Sequence, residues 1–200
     1  MRISLIIPGY NDEKHVSQCL ESAVNQSCCP HEIIVIDDGS EDGSGEIAEE
    51  YQRKYAFVKV IHHTKNQGLM RSWHHGVTLA EGGYIAFLDS DDWVDRRYLE
   101  ELNRGAETGA EIVCCNHNRV YGQQMYLQKE RITAGVYDRR KIREMIFPIL
   151  LNDGTYLGRG LTPHRCGKLF RKELLLNNLR YCDPEISYGE DLNIFFPVMQ

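Results

Sequence analysis

Ile85-Ala86-Phe87-Leu88-Asp89-Ser90-Asp91-Asp92-Trp93 sets four apolar residues directly before three carboxylates packed into four positions. A short apolar run of this kind suits a strand buried on both faces, and open α/β sheets bind ligands at the carboxyl ends of such strands. Three Asp side chains so close repel one another unless they are solvated, cap backbone amides or share a cation. A hard divalent ion, with a ligand's diphosphate completing its shell, relieves that repulsion. Two readings therefore compete: a cation-assisted phosphate site, or a helix beginning near Asp95 that Asp91 or Asp92 caps while the others stay solvated. The position after a buried strand, together with companion motifs elsewhere, favours the first.

Upstream, Ile3 to Ile7 is a near-continuous aliphatic run closed by Pro8-Gly9-Tyr10-Asn11-Asp12, residue types that favour turns and helix caps. Val16, Cys19, Leu20, Ala23 and Val24 then recur at helical spacing. Glu32 to Ile36 repeats the pattern as a second strand ending in Asp37-Asp38-Gly39-Ser40, with a helix to about Arg53. Val58 to Ile61 reads as a third strand, Gly68 to about Ala80 as a third helix, and Tyr84 as the start of the central strand. Strand and helix alternate three times, which predicts an α/β fold with a Rossmann-like, mainly parallel sheet and helices on both faces.

Downstream the rhythm changes. A helix from about Arg96 to Glu107 leads into a strand at Glu111 to Asn116, and Arg119 to Tyr137 has the short alternation of a hairpin or an irregular insertion. Arg139 to Leu151 returns to helical spacing, and Asn152 to Gly160 reads as a glycine-rich loop. A short strand at Lys168-Leu169-Phe170, a helix from Lys172 to Asn177 and a last helix opening near Gly189-Glu190-Asp191 complete the chain. No composition shift marks a boundary, so residues 1–200 read as one domain with a regular half, 1–115, and an idiosyncratic half, 116–200. Phe195-Phe196-Pro197 near the end predicts an exposed apolar terminus and further chain beyond it.

With 42% apolar residues in 200, the chain can bury a substantial core. A net charge of −6 without a long basic block leaves no footprint for nucleic acid. The densest basic cluster, Arg139-Arg140-Lys141-Ile142-Arg143, reads as a solvated helix face or a weak peripheral contact with the inner face of a membrane. Seven cysteines, without metal-type spacing, fit a reducing, cytoplasmic setting. The first apolar run is too short for a signal peptide, and no stretch approaches a membrane span.

The early loops also carry chemistry. Tyr10 is placed to stack on a base, and Asp38 to accept from a base N–H or a ribose hydroxyl; the alternative is that Tyr10 packs on the sheet edge and Asp37 and Asp38 build turns. No GxGxxG follows the first strand and no GxxxxGK[ST] occurs, so diphosphate charge would be met by a metal at the aspartates. A phosphoryl-transfer receiver domain is disfavoured because the first strand ends in Pro-Gly-Tyr-Asn rather than in carboxylates.

Ile3-Ser4-Leu5-Ile6-Ile7-Pro8-Gly9-Tyr10-Asn11, Ile36-Asp37-Asp38-Gly39-Ser40, Leu88-Asp89-Ser90-Asp91-Asp92 and Gly189-Glu190-Asp191 together resemble the family 2 glycosyltransferases of the GT-A fold, from about Ile3 to Phe196. The resemblance implies an inverting transfer of sugar from a nucleotide diphosphate donor, UDP-linked by expectation, to an acceptor hydroxyl on a glycan, a lipid-linked glycan or another molecule. By the same resemblance Pro8, Tyr10 and Asn11 line the nucleotide pocket and Asp38 faces the base. Asp89 faces the ribose, Asp91 or its neighbour Asp92 holds Mn²⁺ or Mg²⁺, and Asp191 is the general base. Taken alone, Glu190 and Asp191 equally suit the positive end of the last helix dipole.

Two departures stand out. Relatives usually carry Ala-Arg-Asn where this chain has Ser72-Trp73-His74, and a Trp-Asn-Lys-Leu-Tyr run where it has Cys166-Gly167-Lys168-Leu169-Phe170. A donor contact is therefore absent or remade, which leaves a sugar-nucleotide-binding module without turnover as the alternative function. His164 is read as a surface residue or as a neighbour of the diphosphate.

Overall fold

The computed structural model describes residues 1–150, 154, 160–186 and 189–199. A six-stranded sheet runs in the order β3-β2-β1-β4-β8-β5, with β1 at Ile3–Gly9, β2 at Glu32–Asp37, β3 at Val58–His62, β4 at Tyr84–Phe87, β5 at Ile112–Cys114 and β8 at Lys168–Arg171. The strands β1 to β4 are mutually parallel, while β8 lies antiparallel between β4 and β5. The expected mainly parallel α/β sheet is present.

Alternation along β1 explains why helices cover both faces. Ile3, Leu5 and Ile7 point to one side, where they pack with Val16, Leu20 and Ala23 of α1 (Val16–Val24) and with Leu99 and Leu102 of α4 (Tyr98–Ala106). Ile6 points to the other, with Ile34, Ile36, Ile85 and Phe87, against Met70, Trp73 and Val77 of α3 (Leu69–Leu79). The second face is completed by Leu175 of α6 (Lys172–Asn178) and by Ile194, Phe195 and Val198 of α7 (Glu190–Met199). The apolar end of α7 is thus packed rather than exposed: Phe195 is buried and Phe196 and Met199 lie against the same core. The helix α2 (Ser44–Lys54) lies on the α1 side, with Ala48 in that core.

One expectation needs amending, and one is given its bounds. The run from Arg139 is not one α-helix: a single α turn, α5 (Arg139–Lys141), continues as a π segment at Ile142–Ile146 and a 3₁₀ turn at Phe147–Ile149. Pro148 accounts for the break, since it has no N–H to close an α-helical bond and its ring clashes with the preceding turn. The region after β5 forms a separate hairpin, β6 (His117–Tyr121) with β7 (Gln124–Gln128), turning at Gly122 with φ +59. The glycine-rich stretch 152–160 lies outside the described residues except for Gly154 and Gly160. Among the described residues no helix is long and apolar enough to cross a membrane.

The strand order reverses direction at β1. Pairing of β1 with β4 stops at Ile6–Phe87, while pairing with β2 continues to Gly9–Asp37. The β1–β4 ladder thus ends at the reversal point of the sheet, and this edge is the mouth where open α/β sheets place a ligand.

Candidate active site

Three loops meet at this mouth and are stitched together by polar side chains. Asn11 has φ +55, a left-handed conformation that Asn tolerates better than most residues. In that pose its N–H donates to Ser40 Oγ at 3.0 Å and its side-chain oxygen accepts from the Glu41 N–H at 2.8 Å. Asp12 receives a hydrogen bond from Ser90 and donates its own N–H to Ser44 Oγ at 2.7 Å, so the loop after β1 is fixed to both neighbours. Pro8 is buried beneath them, and Tyr10 projects with 41% of its surface exposed.

Asp38 is buried at 3% exposure and heavily engaged. It accepts from His63 Nδ1 at 2.6 Å and from the Gln67 and Gly68 N–H groups at 3.0 and 2.8 Å. His63 Nε2 lies 2.9 Å from His75 Nδ1, and the two rings are nearly coplanar, with centroids 5.2 Å apart. Asp38 thus anchors the turn leading into α3. Burial, followed by the neighbouring His63, lowers the pKa of His75 and favours its neutral form. Asp37 caps the adjoining turn, accepting from the Ser40 N–H at 3.0 Å, and pairs with His62 at 2.8 Å.

At the end of β4 the acidic motif meets a residue that the sequence motifs did not single out. Arg165, 4% exposed, ion-pairs through one guanidinium nitrogen with Asp89 and through the other with Asp191 Oδ1 at 2.9 Å. The Arg165 backbone N–H adds a third bond, to the same Asp191 oxygen, at 3.2 Å. The guanidinium carbon lies 3.9 Å from the ring centroid of fully buried Trp73, a cation–π arrangement. Trp73, one of the departures from the family pattern noted above, thus supplies the indole face on which the guanidinium rests.

Arg165 is held in place by β8. Lys168, 1% exposed, donates to the Thr162 and His164 carbonyls at 2.6 Å each, fixing the loop that carries Arg165. With Oδ1 of Asp191 committed to Arg165, Oδ2 is the oxygen that faces His164, whose Nδ1 is 3.8 Å away. Asp191 sits in the first turn of α7, where the helix dipole favours negative charge.

The carboxylates of Asp89 and Asp92 and the sulfur of Cys166 have ligand atoms within 4.8 Å of one another. Asp91 is exposed on the same loop and outside that group. Burial, then the charges of Asp89 and Asp91, push the Asp92 carboxyl above its usual range. Burial likewise pushes the Cys166 thiol well up, so it is a neutral S–H that donates to Asp89 Oδ2 at 3.4 Å. Two carboxylate oxygens side by side, crowded by a third, are a donor set that suits a hard divalent ion.

Carboxylates gathered at the reversal point of a mainly parallel sheet define an α/β domain with a ligand site at the carboxyl ends of its strands. The chain belongs to glycosyl transferase family 2, whose model matches residues 4–177. It is 44% identical over 115 residues to a putative glycosyltransferase, EpsH, of Bacillus subtilis, covering 58% of this chain and 33% of the relative. It is 32% identical over 184 residues to the cholesterol galactosyltransferase of Borreliella burgdorferi, covering 90% of this chain and 51% of the relative. The structure of S. aureus TarS 1–349 in complex with UDP-GlcNAc superposes with a TM-score of 0.76 at 25% identity, covering 98% of this chain and 54% of TarS 1–349. The fold is therefore GT-A, and the chain spans between a third and about half the length of these relatives.

Proposed function

We propose that this chain is the donor-binding and base-carrying domain of an inverting glycosyltransferase that moves a sugar from a nucleoside diphosphate, uridine in our reading, to an acceptor hydroxyl. The observation that carries it is the Asp89–Arg165–Asp191 array at the mouth between β1 and β4, which brings the first carboxylate of the acidic motif and the start of α7 onto one cation. In this reading residues 1–115 hold the donor and residues 116–200 the acceptor. The TarS complex with UDP-GlcNAc supports a uridine donor by fold and by 25% identity.

Each residue then has a task. Tyr10 stacks on the base, with Pro8 and Asn11 shaping the pocket around it. Asp38 holds the turn at Gln67–Gly68, and its remaining lone pair faces the base. Asp89 faces the ribose and diphosphate. Asp89, Asp92 and Asp91 would hold Mn²⁺ or Mg²⁺, Asp92 being the carboxylate already beside Asp89. Such an ion, when bound, neutralises the departing diphosphate. Asp191 removes the acceptor proton through Oδ2 while Arg165 fixes Oδ1, so the attacking oxygen gains nucleophilicity as it reaches the anomeric carbon. Arg165 is a positioning residue for that base.

Calorimetric titration of UDP with Mn²⁺, repeated with EDTA and with Asp92→Ala and Asp91→Ala, tests the donor site. The reading expects binding that EDTA abolishes and that Asp92→Ala weakens at least tenfold. Binding indifferent to EDTA and to both substitutions would contradict the metal assignment, and no binding of UDP would remove uridine.

A further inference from the structure

The hairpin β6–β7 stands outside the main sheet, and its two faces differ in chemistry. Directly opposed residues share a face, and alternate residues along a strand do too. The register pairs His117 with Gln128, Arg119 with Tyr126 and Tyr121 with Gln124, so these six residues line one face. The other face carries Asn118, Val120, Met125 and Leu127. The ring geometry agrees: Tyr121 and Tyr126 meet edge to face with centroids 6.0 Å apart, and the Tyr126 hydroxyl bonds the Gln124 side chain. Both tyrosines are exposed, at 63% and 47%.

The polar-aromatic face is continuous with the base. His117, at the root of β6, has its ring centroid 6.0 Å from that of His164, and His164 Nδ1 is 3.8 Å from Asp191 Oδ2. From His117 to Tyr121 the strand advances by about 13 Å at the usual rise per residue. A track of imidazole, guanidinium, amide and phenol groups therefore leads outward from the oxygen assigned to proton removal.

We propose that this face of the hairpin, from His117 to Tyr121 and Tyr126, is an acceptor subsite for a glycan chain, an assignment that rests on the transferase reading of Asp191. A sugar ring offers C–H faces that pack on phenol rings and hydroxyls that take hydrogen bonds, and this face presents both kinds of partner in alternation. Tyr supplies large, rigid contact area at low entropic cost, while Arg119, Gln124 and Gln128 bring donors, with amide oxygens as acceptors. An acyl chain or an apolar protein surface would find its match on the opposite face, with Val120, Met125 and Leu127.

The test is an array of defined oligosaccharides probed with fluorescently labelled protein in the presence of UDP and Mn²⁺, using wild type, Tyr121→Ala/Tyr126→Ala, and the opposite-face control Met125→Ser/Leu127→Ser. Thermal melts of all three check that the hairpin changes leave the domain folded. The expected result is glycan retention by the wild type, a loss of at least tenfold in the double tyrosine variant, and a change within twofold in the control. Equal retention by both variants, loss confined to the Met125/Leu127 variant, or no glycan retained by a wild type that binds UDP would each overturn the acceptor face. A wild type that binds neither UDP nor glycan would overturn this proposal and the donor-site reading together.

Discussion

Arg165 decides what the carboxylates around it can do. A buried guanidinium shared by two carboxylates is tolerated because each charge has partners, and removing the cation leaves Asp89 and Asp191 facing each other. Arg165→Met is expected to lower turnover by about 100-fold or more, within the range of a lost acid–base contribution. Arg165→Lys should recover only part of this, because an ammonium cannot bridge both carboxylates while lying flat on Trp73. Steady-state kinetics on UDP-sugar would check both; wild-type turnover in the Met variant would separate Arg165 from the base. The aspartates were legible in the sequence because each closes a strand or opens a helix. Arg165 was not, since its loop is brought to the site by β8, an antiparallel insertion between β4 and β5 contributed some 80 positions later in the chain. Asp38 was legible as a site residue but not as the buried anchor of the Gln67–Gly68 turn, because His63 and the two backbone donors come from the following strand and loop.

Among the elements, the strands were the easiest to read and the long basic segment the hardest. Three strands buried on both faces, β1, β2 and β4, appear as apolar runs, and the alternation of β1 sends Ile6 toward α3. The helix approaches that strand closely at Gly76, where an added Cβ would lie 2.6 Å from Ile6 Cγ2. Gly76→Ala therefore sets a gain of about 1 kcal/mol in helix propensity against an overpacking cost of about 1–3 kcal/mol. Overpacking should win, because Ile6 is fully buried in the central strand and has nowhere to move. A denaturant titration is expected to give a net loss of about 1 kcal/mol; a stabilised variant would show that α3 sits further from the sheet. The segment after Asp138 kept its helical periodicity but not its helix, because Pro148 imposes a local constraint that apolar spacing alone does not reveal.

At the scale of the whole molecule, the amino end of the sheet is closed by a polar network at the opposite end from the site. Glu32, 2% exposed, accepts from Ser4 Oγ at 2.6 Å, Lys59 Nζ at 2.8 Å and the Glu81 N–H at 2.6 Å. Burial opposes its charge, but the bonds from Lys59, Ser4 and Glu81 outweigh it and lower its pKa. A carboxyl whose folded pKa is depressed stabilises the fold above its unfolded pKa and loses that contribution as pH falls through the folded value. Glu32→Gln should thus cost about 1–3 kcal/mol near neutrality, and the gap to wild type should shrink below about pH 4. A gap independent of pH would show that Glu32 contributes only packing. The central claim concerns the other end of the sheet, where one domain both holds the donor and supplies the base. It is tested most directly by measuring UDP binding with Mn²⁺ and UDP-sugar turnover side by side for wild type and Asp191→Asn. The account predicts binding within about twofold of wild type and turnover reduced by about 100-fold or more. Unchanged turnover in Asp191→Asn would contradict it.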